Sequence, residues 1–186
     1  MILNDQTIES MLCQLFDFNK SSTTIATVKK QINPNSIDLT LDRDVMRVNG
    51  HHTVTYGKDN SDYWKYKYEV EDNLLIKPNE CILCCTREYI MVPPNLCGQV
   101  FTKSTLGRTF VNHMMAGVID AGFEGKLTLE FKNDSQNDIV IPFGSRVVQL
   151  VYMQLCEKAK EPYNMRKNRY NKAEQCESAK SEAIYG

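Results

Sequence analysis

The chain has 186 residues, 42% hydrophobic and 9% aromatic, which suits one domain with a substantial core. Its net charge of −1 disfavours a polyanion-binding surface. No apolar run approaches the ~18 residues needed to span a bilayer, and "MILNDQTIES" lacks the basic-then-apolar layout of a signal peptide, so the cytoplasm is the expected location.

Residues 3–16 place Ile8, Met11, Leu12 and Leu15 at helical spacing behind Asn4 and Asp5, and predict one amphipathic helix. Residues 17–35 are polar and end on the turn signal "NPN". In "SIDLTLDRDVMRV" (36–48), Ile37, Leu39 and Leu41 alternate, as in a strand with one buried face. Residues 49–72 are charged and aromatic without a period, and read as a surface excursion or hairpin. From residue 73 the runs LLI, CILCC, EYIMV, CGQVF, TFVNHMM, KLTLEF, DIVI and VVQLVYMQL are separated by turn signals such as KPNE, PPN and PFGS. Short strands at this spacing predict a mainly β fold, a sandwich, jelly roll or barrel. The expected organisation is a single β domain over 1–156 and a polar tail over 157–186, disordered or ordered by a ligand or neighbour.

The seven cysteines, with no signal peptide ahead of them, read as reduced thiols. "CILCC" (81–85) holds a CxxC spacing, but no second CxxC follows and His51, His52 and His113 are scattered. A structural zinc site is therefore disfavoured against a buried strand that uses cysteine as a small hydrophobe. "TKSTLGR" (102–108) packs hydroxyls and two cations around a glycine, a composition suited to phosphate. It lacks P-loop spacing, and seen alone it is better explained as a polar turn with a solvated Lys and Arg. In "AGVIDAGFEGKLTLEFKN" (116–133), Asp120 sits in a turn and accepts backbone N–H groups or a sugar hydroxyl. Leu127, Leu129 and Phe131 share one face of the following strand, while Thr128 and Glu130 point to the other. Taken in isolation, Glu130 is a solvated side chain.

Six pieces change that weighting. "NPNSIDLTL" (33–41), "IKPNECILCCTREYIMVP" (76–93), "KSTLGR" (103–108), "AGVIDAGFEGKLTLEFKN", "PFGSRVVQL" (142–150) and "PYNMRKNRY" with Gln175 occur in this order. Together they resemble the dCTP deaminase branch of the trimeric dUTPase-like superfamily, including its bifunctional dCTP deaminase/dUTPase members. The resemblance implies a distorted jelly-roll subunit, a homotrimer and active sites between subunits. It implies that Lys103, Ser104, Thr105 and Arg108 hold the triphosphate, with Ser104 and Arg108 also organising the reacting end. Lys103 stands where arginine is common, and Thr105 where serine is. Ala116 falls within the same nucleotide site and Asp120 would accept the deoxyribose 3′-hydroxyl. Thr128, Leu129 and Glu130 would pass the base, with Glu130 as catalytic acid–base. Tyr163, Arg169 and Gln175 resemble tail residues that close over the nucleotide.

The implied reaction is hydrolytic deamination of dCTP to dUTP by one carboxylate without zinc, with Mg²⁺ carried by the triphosphate. Zinc deaminases carry an HxE…PCxxC signature that this sequence lacks. The rivals are a bifunctional enzyme that proceeds to dUMP and diphosphate, a dUTP diphosphatase alone, and a non-catalytic nucleotide sensor. Residues 49–72 match none of the six pieces; they read as a surface hairpin, or as a segment that alters substrate choice.

Overall fold

The alternation read from residue 36 onward builds the molecule. In a computed structural model that describes residues 1–51, 53–58, 61–69, 71–113, 116–166 and 170–180, β-strand is the predominant regular structure. In chain order the strands are β1 (Ile32–Asn33), β2 (Ser36–Val48), β3 (Trp64–Tyr68), β4 (Asn73–Ile76), β5 (Cys81–Met91) and β6 (Leu96–Thr102). There follow β7 (Val111–His113), β8 (Val118–Ile119), β9 (Glu124–Asn133), β10 (Ile139–Pro142) and β11 (Arg146–Gln154). The main sheet runs β7-β9-β5-β2-β11-β6-β8, with β1 and β3 also paired to β2, and β10 pairs β4 separately. The result is the mainly β, curled-sheet architecture that the pattern predicts.

The long strand β2 produces the curl. Its first half pairs with β11, Leu39 opposite Val148, and its second half with β5, Met46 opposite Leu83. The register shifts between Leu41 and Val45, as at a β-bulge, so one strand serves both halves of the sheet. A second shift between Cys85 and Tyr89 lies within β5, which fuses the CILCC and EYIMV runs into one strand. There Thr86 donates to the Glu88 carbonyl and accepts from the Leu127 N–H.

The predicted N-terminal helix is two short pieces, α1 (Asp5–Ser10) and α2 (Leu12–Leu15), joined at Met11. Asn4 caps α1 by accepting from the Thr7 N–H at 3.0 Å. Ile8, Leu12 and Leu15 are buried as their spacing requires. A further helix, α3 (Ile25–Lys29), lies in the segment read only as polar; with Val28 as its one buried residue it has no apolar period to detect. The last helix is α4 (Ser104–Gly107), a single turn. In the described part of the TFVNHMM run the strand begins at β7, after Phe110 takes a positive φ of 62°; Met114 and Met115 lie outside the described residues. Among the described residues no helix is long and apolar enough to cross a membrane.

The sheet has two occupied faces. Ile82, Cys84, Leu127, Leu129 and Phe131 enter the main core. On the opposite face a smaller cluster joins Met46, Leu83 and Cys85 to Cys176, with Trp64 packed against it. Cys176 belongs to the polar tail. The tail's described residues are tied to the same chain: Tyr163 donates its N–H to the Ala121 carbonyl (2.7 Å), Lys172 to Glu124 (2.6 Å), and Lys126 donates to Ala173 (2.8 Å). The Cys176 thiol donates to the Asp44 carbonyl.

Candidate active site

Strand register carries Glu130 onto the face away from the main core. Its row runs from Glu130 to Leu83 to Met46 to Tyr66, and the neighbouring row places Thr128 opposite Cys85. Residues 170–180 and Trp64 cover this face, so the space above it is a cavity of about 500 Å³. Ala116, Asp120, Thr128, Leu129, Glu130 and Tyr163 all line it.

Glu130 is partly exposed, at 36% of its side chain. Its Oε2 atom is nonetheless buried without a hydrogen-bond partner among the described residues. That oxygen lies 3.5 Å from Nδ1 of His113, whose ring is only 4% exposed. Strand β7 positions the histidine, opposite Phe131, and the His113 N–H donates to Thr102 Oγ1 at 3.0 Å. Neither ring nitrogen has a hydrogen bond among the described residues. Burial pushes the imidazole below its ordinary 6.5, against the opposing pull of Glu130. A carboxylate next to a neutral imidazole can take a proton from water and return it, because each has an open site.

The turn at Asp120 fixes the other end. The Asp120 carbonyl accepts from the Phe123 N–H at 3.1 Å, and Gly122 takes φ +85°. A Cβ on Gly122 would come within 2.7 Å of Pro162 Cβ and 2.9 Å of the Tyr163 nitrogen, so glycine admits the tail here. Tyr163 packs on Phe123 with ring centroids 5.7 Å apart. Burial raises the Tyr163 phenol.

The other phosphate-site candidates are not in this cavity. Ser104, Thr105 and Arg108 are exposed on and after α4. The Lys103 ammonium is 2.6 Å from Asp38 Oδ2, a fully buried carboxylate that Arg146 also approaches at 3.5 Å. Gln175 is exposed and does not line the cavity. Arg169 lies outside the described residues.

The profile of the dCTP deaminase-like family matches residues 2–155. The chain belongs to that family. Among its dCTP deaminase-like relatives, the dUMP-forming dCTP deaminase of Persephonella marina is 34% identical over 165 residues, 88% of this chain and 89% of the relative. The dUMP-forming dCTP deaminase of Methanobrevibacter smithii is 32% identical, covering 99% of this chain and 97% of the relative. The crystal structure of 2′-deoxycytidine 5′-triphosphate deaminase from Agrobacterium tumefaciens superposes with a TM-score of 0.63 at 22% identity. That match covers 81% of this chain and 46% of the other, and shows a shared fold.

Among the residues of this dCTP deaminase-like chain that line the cavity without having been site candidates in its sequence are His113, Trp64 and Glu177. His113 meets Glu130 only through the β7–β9 pairing, and Trp64 only through β3 and β2, so no local pattern marks either. All seven cysteines are free thiols. Among the described residues, one group could offer a cation three ligands within 4.8 Å of one another: Asp42, Asp44 and Cys85. Lys126 already sits 2.6 Å from Asp42 Oδ2, and the Tyr66 hydroxyl donates to Asp44. A thiol is a poor ligand for Mg²⁺, and an ammonium in the site opposes any cation. These residues therefore do not fit a dedicated metal cage.

Proposed function

We propose that the protein deaminates dCTP and carries the product on to dUMP and diphosphate. The observation that carries the first step is the buried, unpartnered Glu130 oxygen beside His113 on the cavity wall. Water adds to C4 of the cytosine while Glu130 takes its proton and passes it to N3. The carboxylate then takes the proton of the new C4 hydroxyl and delivers it to the amine, so the C4 carbonyl forms as ammonia leaves. His113, neutral because it is buried, limits the charge next to Glu130. In the second step water cleaves the bond between the α- and β-phosphates of dUTP.

The sequence reading put dUTP first as end product. The dUMP-forming names of relatives at 34% and 32% identity favour the further step. Asp120 stands at the sugar end of the cavity and Glu130 at the base end. Mg²⁺ enters with the triphosphate, which supplies the oxygen ligands that the protein's own cluster does not. Glu130 acts without zinc.

Ser104, Thr105 and Arg108 serve the cavity of a neighbouring copy in a homotrimer. Their exposure, next to exposed Phe101, Phe110 and Val118, supports that arrangement. Incubation with dCTP and Mg²⁺ followed by separation of products is the test. We expect dUMP, ammonia and diphosphate. Accumulation of dUTP alone would remove the second step, and dUMP from dUTP with no product from dCTP would overturn deamination.

A further inference from the structure

Two buried polar atoms on residues that line the cavity remain unused by that mechanism. One is Trp64 Nε1 and the other Glu177 Oε2; neither has a hydrogen-bond partner among the described residues. Both residues line the same cavity as Glu130. An indole N–H can only donate, and an ionised carboxylate oxygen can only accept. Leaving either buried and unmet is costly, so the pair points to a ligand that meets both.

Their places in the fold say which part of the ligand. The Glu177 N–H donates to Thr128 Oγ1 at 3.1 Å, which seats the residue beside the position two before Glu130 on the same strand face. The other Glu177 oxygen is held by Lys180 Nζ at 2.7 Å, so Oε2 is the free one. Trp64 opposes Val48, two residues beyond Met46, whose cross-strand row ends at Glu130. Asp120 lies at the far end, before β9 begins. Trp64 and Glu177 therefore border the base end of the cavity.

Resting on the function proposed above, we infer that Glu177 and Trp64 read the edge of the pyrimidine and set the preference for cytosine. Cytosine presents an amino donor at C4, which a carboxylate accepts; uracil presents a carbonyl there, which a carboxylate repels. The carbonyl at C2 is common to both bases and takes the Trp64 N–H. Glu177 is then the discriminating residue, and Trp64 a positioning residue for both nucleotides.

Calorimetry on the E130Q protein, which leaves the base unconverted, measures binding of dCTP and dUTP as their non-hydrolysable α,β-imido analogues, with and without a second change. We expect E177Q to weaken dCTP on the order of tenfold and to leave dUTP unchanged or tighter, because the amide can donate to the C4 carbonyl. W64F should weaken both nucleotides by a similar factor. Trp64 is the chain's one tryptophan, so its fluorescence should shift when either nucleotide binds. Equal effects of E177Q on both nucleotides, or constant emission while calorimetry records binding, would overturn the inference and leave the proposed function standing. If wild-type protein binds neither dCTP nor an α,β-imido analogue of dUTP, both fall.

Discussion

Glu130 is where sequence and structure diverge most usefully. Alternation assigns it to the face away from Leu129 and Phe131 and by itself makes that face solvent; only the family resemblance makes Glu130 a residue of the base site. The structure covers the face with Trp64 and the tail, leaving one carboxylate oxygen buried beside His113. If Glu130 moves the protons, E130Q should lower turnover of dCTP by roughly 10²–10⁴-fold while the protein stays folded. Turnover near wild type would remove it from the chemistry. His113 provides a second check. In the unfolded chain it takes a proton near 6.5; in the folded chain burial delays this to lower pH. Between those values the unfolded state holds more protons, so stability falls as pH falls through that window. Urea midpoints at about pH 7.5 and about pH 5.5 should therefore differ more for wild type than for H113Q. Lys103 is a contrasting case: its motif suggested phosphate, yet it neutralises the buried Asp38. K103A should destabilise the fold by about 3 kcal/mol, with the Arg146 contact limiting the loss. A thermal midpoint unchanged in that variant would show that the ion pair contributes nothing.

Strand β9 and the tail act together. Thr128, Lys126 and the Asp120–Phe123 turn each bind tail backbone, so the strand is half of a closed cavity only when the tail is in place. Gly122 leaves no room for a side chain against the tail. G122A combines a positive φ with a clash against Pro162 and should cost about 1–3 kcal/mol of stability. It should also weaken nucleotide binding; chemical denaturation and calorimetry on one preparation read the two effects. The strands were legible because period-two alternation survives in each of them. The tail's docking was not, because it uses backbone hydrogen bonds that any sequence can make and, of its described residues, only Ala173 and Cys176 are buried. Composition alone therefore reads the tail as disordered or as ordered by a ligand or neighbour.

For the molecule as a whole, the predicted site divides into two groups. Asp120, Thr128, Glu130 and Tyr163 line the cavity, whereas Ser104, Thr105 and Arg108 are exposed outside it. If the second group completes the cavity of a neighbouring copy, E130Q and R108A proteins are each inactive alone but complementary. Mixed under conditions of subunit exchange, they should recover roughly a quarter of wild-type activity, the share of sites receiving both intact residues. Sedimentation of the wild-type protein should give the mass of three chains. No recovery on mixing, with exchange verified, would place both residues in one subunit.

Alternation, turn residues and the ordered motifs established the mainly β class, the strand faces and the identity of Asp120 and Glu130 as residues to watch. These are local properties: each needs only a few neighbouring side chains. That Glu130 borders a cavity, that His113, Trp64 and Glu177 share it, and that Lys103 pairs with Asp38 came from the fold. Each depends on strand pairing between segments far apart in the chain, and pairing follows from how whole faces bury against one another.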